Sequence, residues 1–170
     1  VNARDSEFYC LETFQALSDF YLDNLPISVP KSMLRVLLAG VHRKHGAISP
    51  SNYIKQALDI FKRVVVNEID LDAECYELLL KVLDGAMRKF GKGVSFGMKV
   101  TIPDRAFDIV QNLVYEYQLE EESLLEDPEN IVDLRDILLQ RKPTMQLYES
   151  LLNIWLFSER SDSARKVETI

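Results

Sequence analysis

Apolar residues recur along most of this chain at intervals of three and four, the spacing that lays them on one face of a helix. Phe8, Leu11, Phe14, Leu17 and Leu22, with Phe20 and Tyr21 adding aromatic bulk, predict a helix over 6–24, ended before Pro26 and Pro30. Leu34, Leu37, Leu38 and Val41 predict a second over 32–45, stopped by Gly46. Ser49-Pro50-Ser51-Asn52 is a start signal, a hydroxyl cap followed by proline in the first turn, and the third helix runs to about Asn67. A fourth occupies 73–90 and ends at Gly91. A fifth opens at Pro103-Asp104 and reaches about Leu119. Asp127-Pro128-Glu129 opens a sixth over 128–140, with Ile131, Leu134, Ile137 and Leu138 as its buried stripe. A seventh spans 144–158, and Ser161 caps the start of the last.

One stretch breaks the helical period. Val94, Phe96, Met98, Val100 and Ile102 alternate with small or polar residues, which is strand spacing and predicts an extended insert laid over the helices at 92–102. Gly91-Lys92-Gly93 and Gly97 are similar to a kinase phosphate loop, but that loop needs a strand on each side and helices are predicted here.

Composition narrows the function classes. Six Gly and six Pro in 170 residues leave few turns, so elements are long. No run of about 18 apolar residues occurs, which predicts no membrane span. Cys10 and Cys75 lie far apart in apolar helical stretches and read as reduced core thiols of a reducing compartment. The start lacks a Met and a basic leader, so the chain reads as a piece of a longer protein.

The net charge of −7 conceals a polarity. Residues 31–63 carry Lys31, Arg35, Arg43, Lys44, Lys55, Lys62 and Arg63 against Asp59 alone, whereas 106–140 carry ten acids against Arg135. The first block suits phosphates; the second suits a protein-docking surface or a solvated link. His42 and His45, beside Arg43 and Lys44, complement a helix end or contact phosphate. They lack a nearby third ligand, so no metal is expected. Tyr148, Trp155 and Phe157 suit core packing better than base stacking. No Ser/His/Asp, Cys/His or paired-carboxylate constellation can be assembled, so neither catalysis nor a cofactor is expected.

Phrases return along the chain. Ala57–Phe61 (ALDIF) is matched by Ala106–Val110 (AFDIV), and loosely by Ala16–Phe20 and Ala164–Glu168; Tyr76–Leu80 (YELLL) returns as Tyr148–Leu152 (YESLL). Ile69-Asp70-Leu71-Asp72 stands four residues before Tyr76. Ile27-Ser28-Val29-Pro30 precedes Leu34 at the same offset, and Pro143-Thr144 precedes Tyr148 likewise. On these hinges the chain resembles the pentatricopeptide repeat family, whose unit is a helical hairpin of about 35 residues. Tetratricopeptide hairpins share the same broad apolar pattern.

The resemblance implies an all-α fold, a short right-handed solenoid of stacked hairpins. Residues 6–24 would be the second helix of a preceding unit, 31–72 a unit, 73–144 an expanded unit with inserts and 145–170 a partial one. Ala57, Ala106 and Ala164 would be close-packing points. It further implies a protein of the mitochondrial matrix that binds single-stranded RNA, not DNA, in transcript or ribosomal RNA processing, splicing, small-subunit maturation or translation activation. The family's base-reading positions fall on Arg35 with Asp72 and Glu77 with Thr144, then on Glu149. A Glu there offers only acceptors and repels neighbouring phosphates. Phosphate contacts would come from Lys31, Arg43, Lys44, Lys62, Arg63, Lys81, Arg88 and Lys89. The alternative expectation is a tetratricopeptide-like scaffold for protein, docking through the acidic region 116–136.

Overall fold

The computed structural model describes residues 26–43, 49–66, 69–89, 94–126 and 138–158, together with Glu12, Ala16 and Asp136. Among the described residues every regular element is an α-helix: α1 (Ser28–His42), α2 (Pro50–Val66), α3 (Ala73–Lys89), α4 (Phe96–Glu126) and α5 (Met145–Leu156). The helices predicted at 6–24 and from Ser161, and nearly all of that at 128–140, lie outside the described residues, as does Ala164.

α3 is the hub. It packs against α1, α2, α4 and α5, while α1 also lies on α2 and α4 on α5. Its sequence explains this position. Cys75, Tyr76, Leu78, Leu79, Leu80, Val82, Leu83, Ala86 and Met87 are buried around almost the whole circumference, as expected of a helix enclosed by neighbours. Before its last residue, Lys89, its polar residues fall on a single line, Glu74, Glu77, Lys81, Asp84 and Arg88, at alternating steps of three and four. Gly85 lets α1 approach closely: a Cβ there would lie 2.6 Å from Cγ1 of Val41.

α2 follows its predicted bounds. The Ser49 hydroxyl accepts the Asn52 amide at 3.3 Å, and Tyr53, Ile54, Ala57, Ile60 and Val64 form the buried face. Phe61 meets Tyr76 of α3 edge-on, with ring centroids 5.6 Å apart. Ala57 and Ala106 are fully buried.

α4 corrects the reading of 92–102. Residues from Phe96 onward are helical, not extended, and the helix passes through Pro103 to Glu126, well beyond the predicted 103–119. Its start is set by Ser95, whose hydroxyl accepts the Met98 amide at 3.4 Å. The alternation of Val94 to Ile102 coincides with a helix, and Pro103, which by sequence suits a first turn, sits inside it. α4 buries Ile102, Ala106, Val110 and Leu113. From Tyr115 to Ser123 none of its residues is buried, so its second half runs past the core. Arg141 bridges that overhang to the loop before α3, pairing with both Glu120 and Asp70. α1 likewise begins earlier than predicted, at Ser28.

Candidate functional site

Three polar stripes lie side by side because α1 and α5 both pack on α3. Lys31 and Arg35 come from α1, the Glu74-to-Arg88 line from α3, and Gln146, Glu149 and Asn153 from α5. Their side chains bond across the helix junctions.

At the first junction Lys31 pairs with Asp72 and with Glu74, the latter at 3.0 Å, and Arg35 pairs with Glu74. At the second, Thr144 donates to Glu77, and Lys81 reaches Glu77 at 3.3 Å and Gln146 at 2.6 Å. The two ties share a construction. Two residues four apart on the earlier helix meet two residues two apart at the start of the later one: Lys31 and Arg35 with Asp72 and Glu74, then Glu77 and Lys81 with Thr144 and Gln146. Asp72 and Thr144 are also equivalent locally, because each caps its helix. Asp72 Oδ1 accepts the Cys75 amide at 3.0 Å, and the Thr144 hydroxyl accepts that of Leu147 at 3.4 Å.

One turn further along α3, Arg88 forks onto Asp84 with bonds of 2.6 and 2.8 Å, while Asn153 of α5 also hydrogen-bonds Asp84. The Arg88 guanidinium lies 5.4 Å above the Phe157 ring.

Protonation follows these partners. The hydrogen bond from Arg35, then that from Lys31, holds the Glu74 carboxyl below the usual range. Burial pushes the Lys31 ammonium down, but its bonds to Asp72 and Glu74 together outweigh burial, and the net shift is upward. For Asp84 burial wins over Arg88 and its carboxyl is raised. Arg88 is raised chiefly by its hydrogen bond to Asp84.

The expected base-reading positions are therefore brought together, but as ties between helices. Glu77 and Thr144 bond directly; Arg35 and Asp72 join the same ion cluster through Glu74 and Lys31. Glu149 is exposed on α5, close enough to act on Arg88 and Asp84. Lys31, Lys81 and Arg88 stand in the polar ladder, Lys62 and Arg63 on α2, and Arg43 just past α1, about 18 Å of helix from Lys31. Lys44 and the Lys89 side chain lie outside the described residues, as does His45. Trp155 and Tyr148 do not form an open platform: Trp155 is fully buried and Tyr148 half-buried, whereas Phe157 is partly exposed under Arg88. The ladder itself was missed in the sequence, although the Glu74, Glu77, Lys81, Asp84, Arg88 spacing was its signal.

Two further features bear on function. A cavity of about 550 Å³ opens between α4 and α5, lined mainly by Phe107, Val110, Val114, Tyr115, Tyr148 and Leu151. Among the described residues no helix is long and apolar enough to cross a membrane. Comparison with protein-family models, with curated proteins and with solved structures gives no match to this chain.

Proposed function

We propose that this chain is a segment of a helical-hairpin repeat array that works as a scaffold for protein partners. The repeat reading, with hairpins α1–α2 and α3–α4 followed by the first helix of a third, is supported by the order of helix contacts and by the two like-built ties at the α1–α3 and α3–α5 junctions. The scaffold reading is carried by one observation: Lys31, Arg35, Lys81 and Arg88 are all engaged by carboxylates or amides of the same face. Asp72, Glu74, Glu77, Asp84 and Glu149 more than balance them, so this face offers phosphates no net attraction. A surface of matched donors and acceptors suits polar contacts with a polypeptide.

The second reading is single-stranded RNA binding, the family expectation. It is favoured by α2, whose exposed line Asn52, Lys55, Asp59 and Lys62 is basic on balance and adjoins Arg63. A filter-binding titration with single-stranded RNA across a salt series separates the two. The scaffold reading expects nothing tighter than the non-specific range of about 10⁻⁴–10⁻⁶ M near physiological salt. Tighter binding that weakens as salt rises, and is lost in Lys55→Glu with Lys62→Glu, overturns it in favour of RNA.

A further inference from the structure

The cavity between α4 and α5 has an apolar floor edged by the amides Gln111, Asn112 and Gln118, and the exposed acids Asp108 and Glu122 stand one helical turn beyond them at its two ends. Phe107, Val110 and Val114 of α4 face Tyr148 and Leu151 of α5 across it. Beside that floor runs a line at helical spacing, Asp104, Asp108, Gln111, Tyr115, Gln118 and Glu122, every member of it exposed. Tyr115 keeps 62% of its surface exposed and Leu119 47%. From Asp104 to Glu126 the only cation on α4 is Arg105, and α5 carries Glu149 and no cation.

Charge decides which occupant this groove fits. A second copy would bring the same acids against themselves. The twelve residues after Ser158 carry Arg160, Arg165 and Lys166 but also Glu159, Asp162 and Glu168, so they leave those acids uncompensated. We propose that the α4–α5 groove is a docking site for a basic amphipathic helix of a partner protein. From Phe107 to Gln118 the groove spans about 17 Å of α4, or three turns, which calls for apolar residues at i, i+3 or i+4, and i+7 on the incoming helix. Lys or Arg flanking them would meet Asp108 at one end of the groove and Glu121 and Glu122 at the other. The site names the partner chemistry for the scaffold reading and rests on it.

The test uses the full chain and two labelled amphipathic peptides of about 14 residues, one of Leu and Lys and one of Leu and Glu, long enough for the groove. Fluorescence anisotropy is expected to show binding of the Leu/Lys peptide, weakening with salt, and little binding of the Leu/Glu peptide. Asp108→Lys with Glu122→Lys, both at exposed positions, should weaken the Leu/Lys peptide about tenfold, as should Tyr115→Ala. Circular dichroism checks that each variant keeps its helicity. Equal affinity for the two peptides, or an unchanged affinity in the double-lysine variant, overturns the proposal. A photo-crosslinking residue at position 115 identifies the occupant. Crosslinks to the Leu/Lys peptide support the proposal, whereas crosslinks to residues 159–170 or to a second copy overturn it. A failed groove with no RNA binding leaves the scaffold reading standing; salt-sensitive RNA binding carried by α2 removes that reading whatever the peptides do.

Discussion

Single residues hold this molecule's helices at set distances. Gly85 is the sharpest case, because its missing Cβ admits Val41 of α1. Gly85→Ala gains about 1 kcal/mol of helix propensity. It also drives a methyl into a stiff, buried valine, at about 1–3 kcal/mol. The substitution is therefore expected to destabilise by roughly 1 kcal/mol in urea unfolding, and Val41→Ala in the same chain should recover part of the loss. Thr144 acts twice, capping α5 and donating to Glu77. Thr144→Ala should cost about 1–2 kcal/mol, while Thr144→Ser, which keeps both bonds, should cost a few tenths.

Titration gives a further test at this scale. Burial, aided by Asp72, pushes the Cys75 thiol from 9.0 up to about 12. In the unfolded chain that thiol ionises near 9, so rising pH favours unfolding between about 9 and 12. Replacing Cys75 by Ala should flatten the fall of the melting temperature in that window. The ladder's acids pull opposite ways. Glu74, held low, contributes stability above its unfolded value of 4.5 that is lost as pH falls through its lowered value. Asp84, held high, costs stability as pH rises from 3.8 through its raised value. Asp84→Asn removes the opposing effect. Its melting temperature at neutral pH should match or exceed that of the native chain, and its loss of stability in acid should be steeper.

Among the elements, α3 and α4 set the architecture. From Ala73 to Arg88, α3 has one polar line and is otherwise apolar, so it sits between neighbours. Leu83, fully buried at its centre, is expected to cost about 2–5 kcal/mol as Leu83→Ala, measured by urea unfolding. α4 carries Pro103 inside its first turns, where the ring removes the amide that would bond Lys99. Pro103→Ala restores that donor but gives up buried ring surface. Since an interior proline costs about 3 kcal/mol, the exchange should raise the melting temperature. No increase would mean that the surrounding structure already accommodates the ring.

At the scale of the molecule, what was legible in the sequence differs from element to element. The bounds of α2, α3 and α5 were readable because each has a cap or stop of its own: Ser49, Asp72 with Gly91, and Thr144. The bounds of α4 were not, because Ser95 is a weaker signal than Pro103 and an accidental alternation hid the helical period. The expected site positions Arg35, Asp72, Glu77 and Thr144 do converge, but pairing depends on how far apart the helix axes lie, which no local pattern records. The basic residues of 31–63 are one block in the chain, but the described ones are divided between α1 and its end (Lys31, Arg35, Arg43) and α2 (Lys55, Lys62, Arg63).

Amino-acid order alone thus determined, among the described residues, a mainly helical fold and the limits and apolar faces of α2, α3 and α5, because caps and 3.6-residue spacing act within a few turns. Only the tertiary structure decided that α3 would be the hub, that the cations Lys31 and Arg35 of α1 would be neutralised across a helix junction, and that α4 and α5 would leave a groove between them. Those outcomes depend on which stripe meets which, a long-range match of shape and charge between segments tens of residues apart.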